Sequence, residues 1–156
     1  NEPCAIAVDL GATNIRVALV SETVKIAEKI KAPTLKKGRN GNVVTHQITE
    51  MIRLLLDTHG RSGIRGIGIS SVGPLDYRAG GPRNTPNIPF SFIPLVKPLE
   101  AAFHLPVVLL NDCNAAVLGE RHFGAGKNVK NLVYVTISTG IGGGAIVDGR
   151  LLCGRR

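Results

Sequence analysis

The sequence predicts an α/β protein built from a ββ(β)αβα unit used twice, with the second copy stopping after its opening strands. Two observations carry that expectation. An apolar run, Cys4-Ala5-Ile6-Ala7-Val8, leads into Asp9-Leu10-Gly11-Ala12-Thr13-Asn14 and then into two more strand-like segments. Near the other end a second run, Leu132-Val133-Tyr134-Val135-Thr136-Ile137, leads into Ser138-Thr139-Gly140-Ile141-Gly142-Gly143-Gly144 and again into strands. The stretch between them carries helical periodicity and further buried-strand patterns.

Residues 4–8, 15–20 and 23–30 read as three strands. The first is a continuous apolar run, while Ile15, Val17, Leu19 and then Val24, Ile26 alternate more loosely. Turns at 11–14 and at Ser21-Glu22 join them as an antiparallel meander, and the polar, basic stretch 33–41 is a loop. Val44, Ile48, Met51, Ile52 and Leu55 fall at helical spacing with Gly60 as a stop, which predicts a helix over about 43–58. Residues 64–69 return as a strand. Val72-Gly73-Pro74-Leu75-Asp76 turns the chain, and Gly80-Gly81-Pro82 opens an irregular segment. Within it, Arg83-Asn84-Thr85-Pro86-Asn87-Ile88-Pro89 holds two prolines, which excludes a helix. A short helix over 98–104 and a buried strand over 106–110 follow. Asp112 is then the strand exit and the N-cap region of a helix over 114–123 that closes at Gly124. Strands over 131–137, 142–147 and 150–152 repeat the opening theme.

At 156 residues, with 44% hydrophobic and 19% charged residues, the composition is globular. Aromatics make up 4% and Trp is absent, which argues against stacking platforms for single-stranded nucleic acid. The net charge is +8, yet the basic residues are spread, clustering only in 25–39 and at Arg155-Arg156. A solvated basic face that welcomes an anionic substrate is the favoured reading over nucleic-acid binding. Cys4, Cys113 and Cys153 are odd in number and unpaired by spacing, and His46, His59, His104 and His122 show no ligand spacing. With no long apolar run and no signal-like start, a reduced cytoplasmic compartment is expected.

Glycine lets backbone N–H groups converge on an anion, and threonine adds a donor without charge. Two such loops suit one polyphosphate held from both sides of a cleft. Thr13 and Asn14 are candidate donors in the first loop. In the second, five of the seven residues in 138–144 are Gly, Ser or Thr, more than a plain β-turn requires. Asp9 either holds a metal-bound water beside the phosphates or merely shapes the loop as an Asx turn. Asp112, after Leu109-Leu110-Asn111, is either a general base for phosphoryl transfer to an alcohol or an N-cap. Asn111 beside it suits a polyol hydroxyl. Asp76 is a rival acid whose Gly73-Pro74-Leu75 context looks like a turn.

The motifs assembled here, 8–16, Gly73-Pro74-Leu75-Asp76, Pro86-Asn87-Ile88-Pro89, 110–116 and Thr139-Gly140-Ile141-Gly142-Gly143-Gly144, occur in the order seen in ROK-family sugar kinases. The resemblance spans essentially the whole chain. It implies the actin-like, ribonuclease-H-like ATPase fold, with the first lobe complete over 1–112 and a truncated second lobe over 113–156. By the same resemblance Asp112 is the catalytic base acting on a hexose C6 hydroxyl, with glucose the default sugar, and Asn111 is its hydroxyl-binding neighbour. Gly73 and Asn87 line the sugar side. Gly11, Thr13, Asn14, Thr139 and Gly140 contact the ATP phosphates, and Asp9 is the Mg²⁺-associated acid. Small-molecule hexose and ATP are the implied partners, without nucleic acid or membrane, in a homodimer when full length.

Two departures stand out. Ala12 replaces a second family glycine, and the family's Glu-x-Gly-His and Cys-x-Cys-Gly-x-x-Gly-Cys stretches do not occur. Structural zinc therefore belongs only to a missing C-terminal part, and the 156-residue piece is expected to be inactive alone. The alternative function is a ROK-type sugar-sensing regulator without kinase activity, whose helix-turn-helix domain has no room ahead of Cys4.

Overall fold

The computed structural model describes residues 2–23, 25–137 and 140–153, so Asn1, Val24, Ser138, Thr139 and Gly154-Arg155-Arg156 lie outside the described residues. Contacts divide the chain into two units, Asn1–Leu109 and Leu110–Arg156.

In the first unit, β1 (Cys4–Leu10), β2 (Asn14–Ser21) and β3 (Ile26–Pro33) form the expected antiparallel meander. Helix α1 (Asn42–His59) then returns the chain so that β4 (Ile64–Ser71) runs parallel to β1. After the small β5 (Leu75–Asp76) and β6 (Gly81–Pro82) pair comes α2 (Val96–Phe103), and β7 (Val107–Asn111) completes a mixed sheet of order β3-β2-β1-β4-β7. The strand–strand–strand–helix–strand–helix succession is the unit expected from the sequence.

Period-two alternation puts Ile6, Val8 and Leu10 of β1 on one face, beside Ile15 and Val17 of β2 and Ile67 and Ile69 of β4. Helix α1 contributes Val44, Ile48, Ile52 and Leu55 to the same core. Each such burial contributes about 1.5–3 kcal/mol. Gly60 stops α1 at φ 73°, with its N–H bonded to the Leu56 carbonyl. His104 closes α2 in the left-handed region at φ 55°.

In the second unit, α3 (Asp112–Phe123) is followed by β8 (Leu132–Ile137), β9 (Ile141–Val147) and β10 (Arg150–Leu151) in an antiparallel sheet of order β10-β9-β8. One face of this sheet carries exposed Val133, Val135, Ile137, Ile141 and Val147. The other face carries Ile146, which is buried at 1% exposure.

Two sequence expectations are corrected here. The strand expected over 142–147 is found as β9, and it takes in Gly142-Gly143-Gly144, so the loop read over 138–144 is shorter than expected; of that loop only Gly140 is described ahead of β9. The helix after β7 begins at Asp112, two residues early, with Asn111 rather than Asp112 as its N-cap.

Candidate functional site

The candidate residues fall into two groups, one in each unit. In the first unit, β1 and β2 are joined by a tight loop closed by the Gly11 N–H to Asn14 carbonyl bond of 3.0 Å. A Cβ on Gly11 would stand 3.0 Å from the Asn14 carbonyl oxygen, so the turn leaves a side chain little room. Ala12 is not among the residues with positive φ, so its methyl group costs no backbone strain.

Sequence reasoning missed Thr34, which organises this loop. Its hydroxyl donates to the Gly11 carbonyl at 2.7 Å, and its N–H donates to the Thr13 carbonyl at 3.0 Å. Among the described residues the Ala12 and Thr13 N–H groups have no protein acceptor. The loop thus has its Gly11, Thr13 and Asn14 carbonyls engaged and its Ala12 and Thr13 amides free, a polarity that favours an anion. Thr34 is buried and lies 23 residues from Gly11, so only the three-dimensional pairing of β2 with β3 exposes the link. Gln47 of α1 secures the same segment, donating to the Pro33 carbonyl at 2.7 Å and accepting from the Leu35 N–H at 3.0 Å.

Asp9 lies one residue before the end of β1 and pairs with Arg16 on β2, Oδ2 to Nη1 2.7 Å, at a half-exposed position. Its other carboxylate oxygen has no protein partner among the described residues. A single carboxylate beside an anion loop fits Mg²⁺, which takes one or two carboxylates and completes its shell with phosphate oxygens and water. No group of three His, Cys, Asp or Glu residues is placed to hold a metal among the described residues.

Gly73 and Asn87 sit on neighbouring loops of the same unit. The Val72 N–H bonds the Leu10 carbonyl at 3.1 Å, which sets Gly73 beside the end of β1. The Arg83 N–H bonds the Pro74 carbonyl at 2.9 Å and Arg83 pairs across a bridge with Phe92, its guanidinium 4.8 Å from the ring centroid. That bridge closes the base of a loop whose Thr85, Ile88 and Phe90 are buried and whose Asn87 is exposed.

Asp76 is a turn residue. Its Oδ1 accepts from the Ala79 N–H at 2.9 Å and its Oδ2 from Arg83 Nε at 3.0 Å. The Ala79 hydrogen bond and the Arg83 charge hold its carboxyl below the ordinary range. Because the folded value is depressed, the stabilisation is present at neutral pH and is lost as pH falls through that folded value. Asp76→Ala should therefore lower the unfolding midpoint modestly at pH 7, and the gap to wild type should close on acidification below the ordinary carboxylate range. Thermal melts at a series of pH values check this; a gap that persists in acid would place the effect elsewhere.

In the second unit, Asn111 ends β7 in extended conformation and its Oδ1 accepts from the Cys113 N–H at 3.1 Å. Asp112 is the first residue of α3, and its Oδ1 accepts from the same N–H at 2.8 Å. The Asn111 amide nitrogen and Asp112 Oδ2 have no protein partner among the described residues. One residue thus serves as the helix cap while its neighbour keeps a carboxylate oxygen free. The N-cap alternative that the sequence left open for Asp112 falls to Asn111.

Cys113 points inward, and burial followed by the Asp112 charge pushes its thiol pKa up, so it is a packing group rather than a thiolate. The β9 glycines meet it. A Cβ on Gly142 would stand 2.7 Å from Cys113 Sγ, and one on Gly144 would stand 2.5 Å from the Cys113 carbonyl oxygen. Their role is to let α3 approach the strand closely. Gly140 is exposed and open around its Cα, while Thr139 lies outside the described residues. No described helix is long and apolar enough to cross a membrane.

A model of the ROK family matches residues 5–156. The chain is 40% identical over 151 residues to a glucokinase of Thermotoga maritima, covering 96% of this chain and 46% of that protein. Among solved structures, a ROK hexokinase from Thermus thermophilus superposes with a TM-score of 0.84 at 38% identity, over 98% of this chain and 50% of that one. A ROK-family glucokinase from Streptomyces griseus, solved with glucose and AMPPNP, gives 0.79 at 31% identity, over 97% of this chain and 47% of that one. The chain therefore spans about half the length of the relatives it matches, and its α/β architecture is the actin-like fold of ROK sugar kinases.

Proposed function

The chain belongs to the ROK family, and from that membership we propose that it supplies the first lobe and the opening of the second in an ATP-dependent hexose kinase. The lobes would divide at 112/113, with glucose as the sugar and its C6 hydroxyl as the acceptor. The observation that carries this reading is the β7–α3 junction, where Asn111 caps the helix and leaves Asp112 with an unengaged carboxylate oxygen.

In the proposed reaction Asp112 accepts the proton of the attacking hydroxyl as its oxygen moves in line on the γ-phosphorus. Asn111 offers its amide nitrogen to a neighbouring hydroxyl, and the Gly73 and Asn87 loops face the sugar. The free amides around Ala12 and Thr13, with Asn14, Thr139 and Gly140, hold the phosphates. Asp9 would hold Mg²⁺, which when bound neutralises charge on the phosphate oxygens. The glucose and AMPPNP bound in the Streptomyces griseus enzyme support the substrate pair.

The test is coupled ADP release with ATP, Mg²⁺ and a panel of hexoses, run on a protein of full family length and on this chain. Turnover by the long protein on glucose, with silence from the 156 residues alone, is expected. Sugar binding without turnover by the long protein would turn the reading to a sugar sensor.

A further inference from the structure

The Gly11 carbonyl and the Ala12 N–H belong to one trans peptide unit, so they face in opposite directions. Whatever grips that carbonyl therefore fixes the aim of that amide. The grip comes from Thr34, whose hydroxyl donates to the Gly11 carbonyl at 2.7 Å. Its N–H meanwhile donates to the Thr13 carbonyl at 3.0 Å. Among the described residues no other group donates to the Gly11 carbonyl. Thr34 is 6% exposed and follows directly on β3. Gln47 of α1 brackets it with one side-chain amide, donating from Nε2 to the Pro33 carbonyl and accepting at Oε1 from the Leu35 N–H. Turning the 33–35 segment breaks both of those bonds to the helix.

We propose that Thr34, braced by Gln47, is a positioning residue for the nucleotide phosphates, its hydroxyl locking the 11–12 peptide plane with the Ala12 N–H turned to the anion. The proposal rests on the phosphate reading of the 11–14 loop. With the hydroxyl removed, that plane is free to rotate, and glycine at position 11 resists little because it has no Cβ. Rotation carries the Gly11 carbonyl oxygen toward the phosphate in place of an amide, and the two repel.

The experiment measures KM for ATP and for glucose, and the Kd of AMPPNP by calorimetry, in a protein of full family length carrying Thr34→Val. The substitution keeps the branched shape and removes the donor. ATP KM and AMPPNP Kd should rise about tenfold, the upper end of what one hydrogen bond contributes, while glucose KM stays within about twofold. Thr34→Ser restores the hydroxyl and should return both nucleotide values to near wild type. Thr45→Val is the matched control, since Thr45 is also 6% exposed and its hydroxyl donates from α1 to the Pro94 carbonyl at 2.6 Å. It should lower the unfolding midpoint similarly and leave the nucleotide values unchanged. Wild-type nucleotide affinity in Thr34→Val overturns the lock. So does an equal rise in both KM values, a serine that fails to rescue, or the same nucleotide loss in Thr45→Val. Should Thr34→Val fail to fold, Gln47→Leu carries the test by removing the brace: AMPPNP Kd should rise about threefold, and an unchanged value overturns the lock. Gly11→Val crowds the loop directly against the Asn14 carbonyl. If AMPPNP binds that variant as tightly as wild type, the phosphate reading of the loop fails. If Gly11→Val weakens binding and Thr34→Val does not, the lock alone fails.

Discussion

Replacing Asp112 with Asn in a protein of full family length should lower hexose phosphorylation by about 10²–10⁴-fold, the usual contribution of a positioned general base. Sugar affinity should stay within a few-fold. The substitution is a clean one because the helix start does not depend on the charge. Asn111 already caps α3 through Oδ1, and an amide oxygen at position 112 can still accept from the Cys113 N–H. What the variant loses is the ability to take a proton, so kcat should fall while KM for the sugar moves little. Turnover near wild type would remove Asp112 from the reaction. Equal losses in kcat and in sugar binding would mark a positioning role instead.

Gly144→Ala should be the most damaging single methyl group in the second unit. Its Cβ would stand 2.5 Å from the Cys113 carbonyl oxygen, 2.9 Å from the carbonyl carbon and 3.1 Å from Val117 Cγ1. Two of those neighbours are backbone, so relief requires the first turn of α3 to move rather than a side chain to rotate. Overpacking of this kind costs about 1–3 kcal/mol, read as a lower unfolding midpoint. Gly140→Ala is the matched stability control, since nothing lies within 4 Å of its added Cβ. Because Cys113 follows Asp112 in the chain, displacement of that turn should also lower kcat in the long protein. An unchanged midpoint for Gly144→Ala would show that strand and helix are not held in the contact described.

These glycines also show where local sequence stops being informative. The apolar alternation of β1 and β2 and the helical spacing of Val44, Ile48, Ile52 and Leu55 report burial directly, so those elements were legible to within a few residues. Gly142 and Gly144 fall where the loop read over 138–144 and the strand read over 142–147 overlap, and nothing nearby in sequence reveals that a helix about 30 residues earlier needs the space. The β5–β6 pair was invisible for another reason: two-residue strands carry no periodicity, and Asp76 and Arg83 fix them through side chains. At the β7–α3 junction, adjacent Asn and Asp are both competent caps, and only backbone geometry assigns the task to Asn111. Thr34 belongs to no motif, since its hydroxyl acts across 23 residues.

Strands β3 and β8 are sheet edges of opposite character, and this governs how the chain will behave when concentrated or heated. Strand β3 guards its edge with Lys29 and Lys31, a charged border that discourages strand addition from another molecule. Strand β8 lies at an edge with the sequence Leu-Val-Tyr-Val-Thr-Ile, free of charge and proline and rich in β-branched residues. Its Val133, Val135 and Ile137 are exposed as well. Six such residues meet the requirements of a cross-β segment. Precipitates of this chain should therefore be seeded through residues 132–137 rather than through β3, and a lysine in place of Val135 is a direct way to keep the protein in solution.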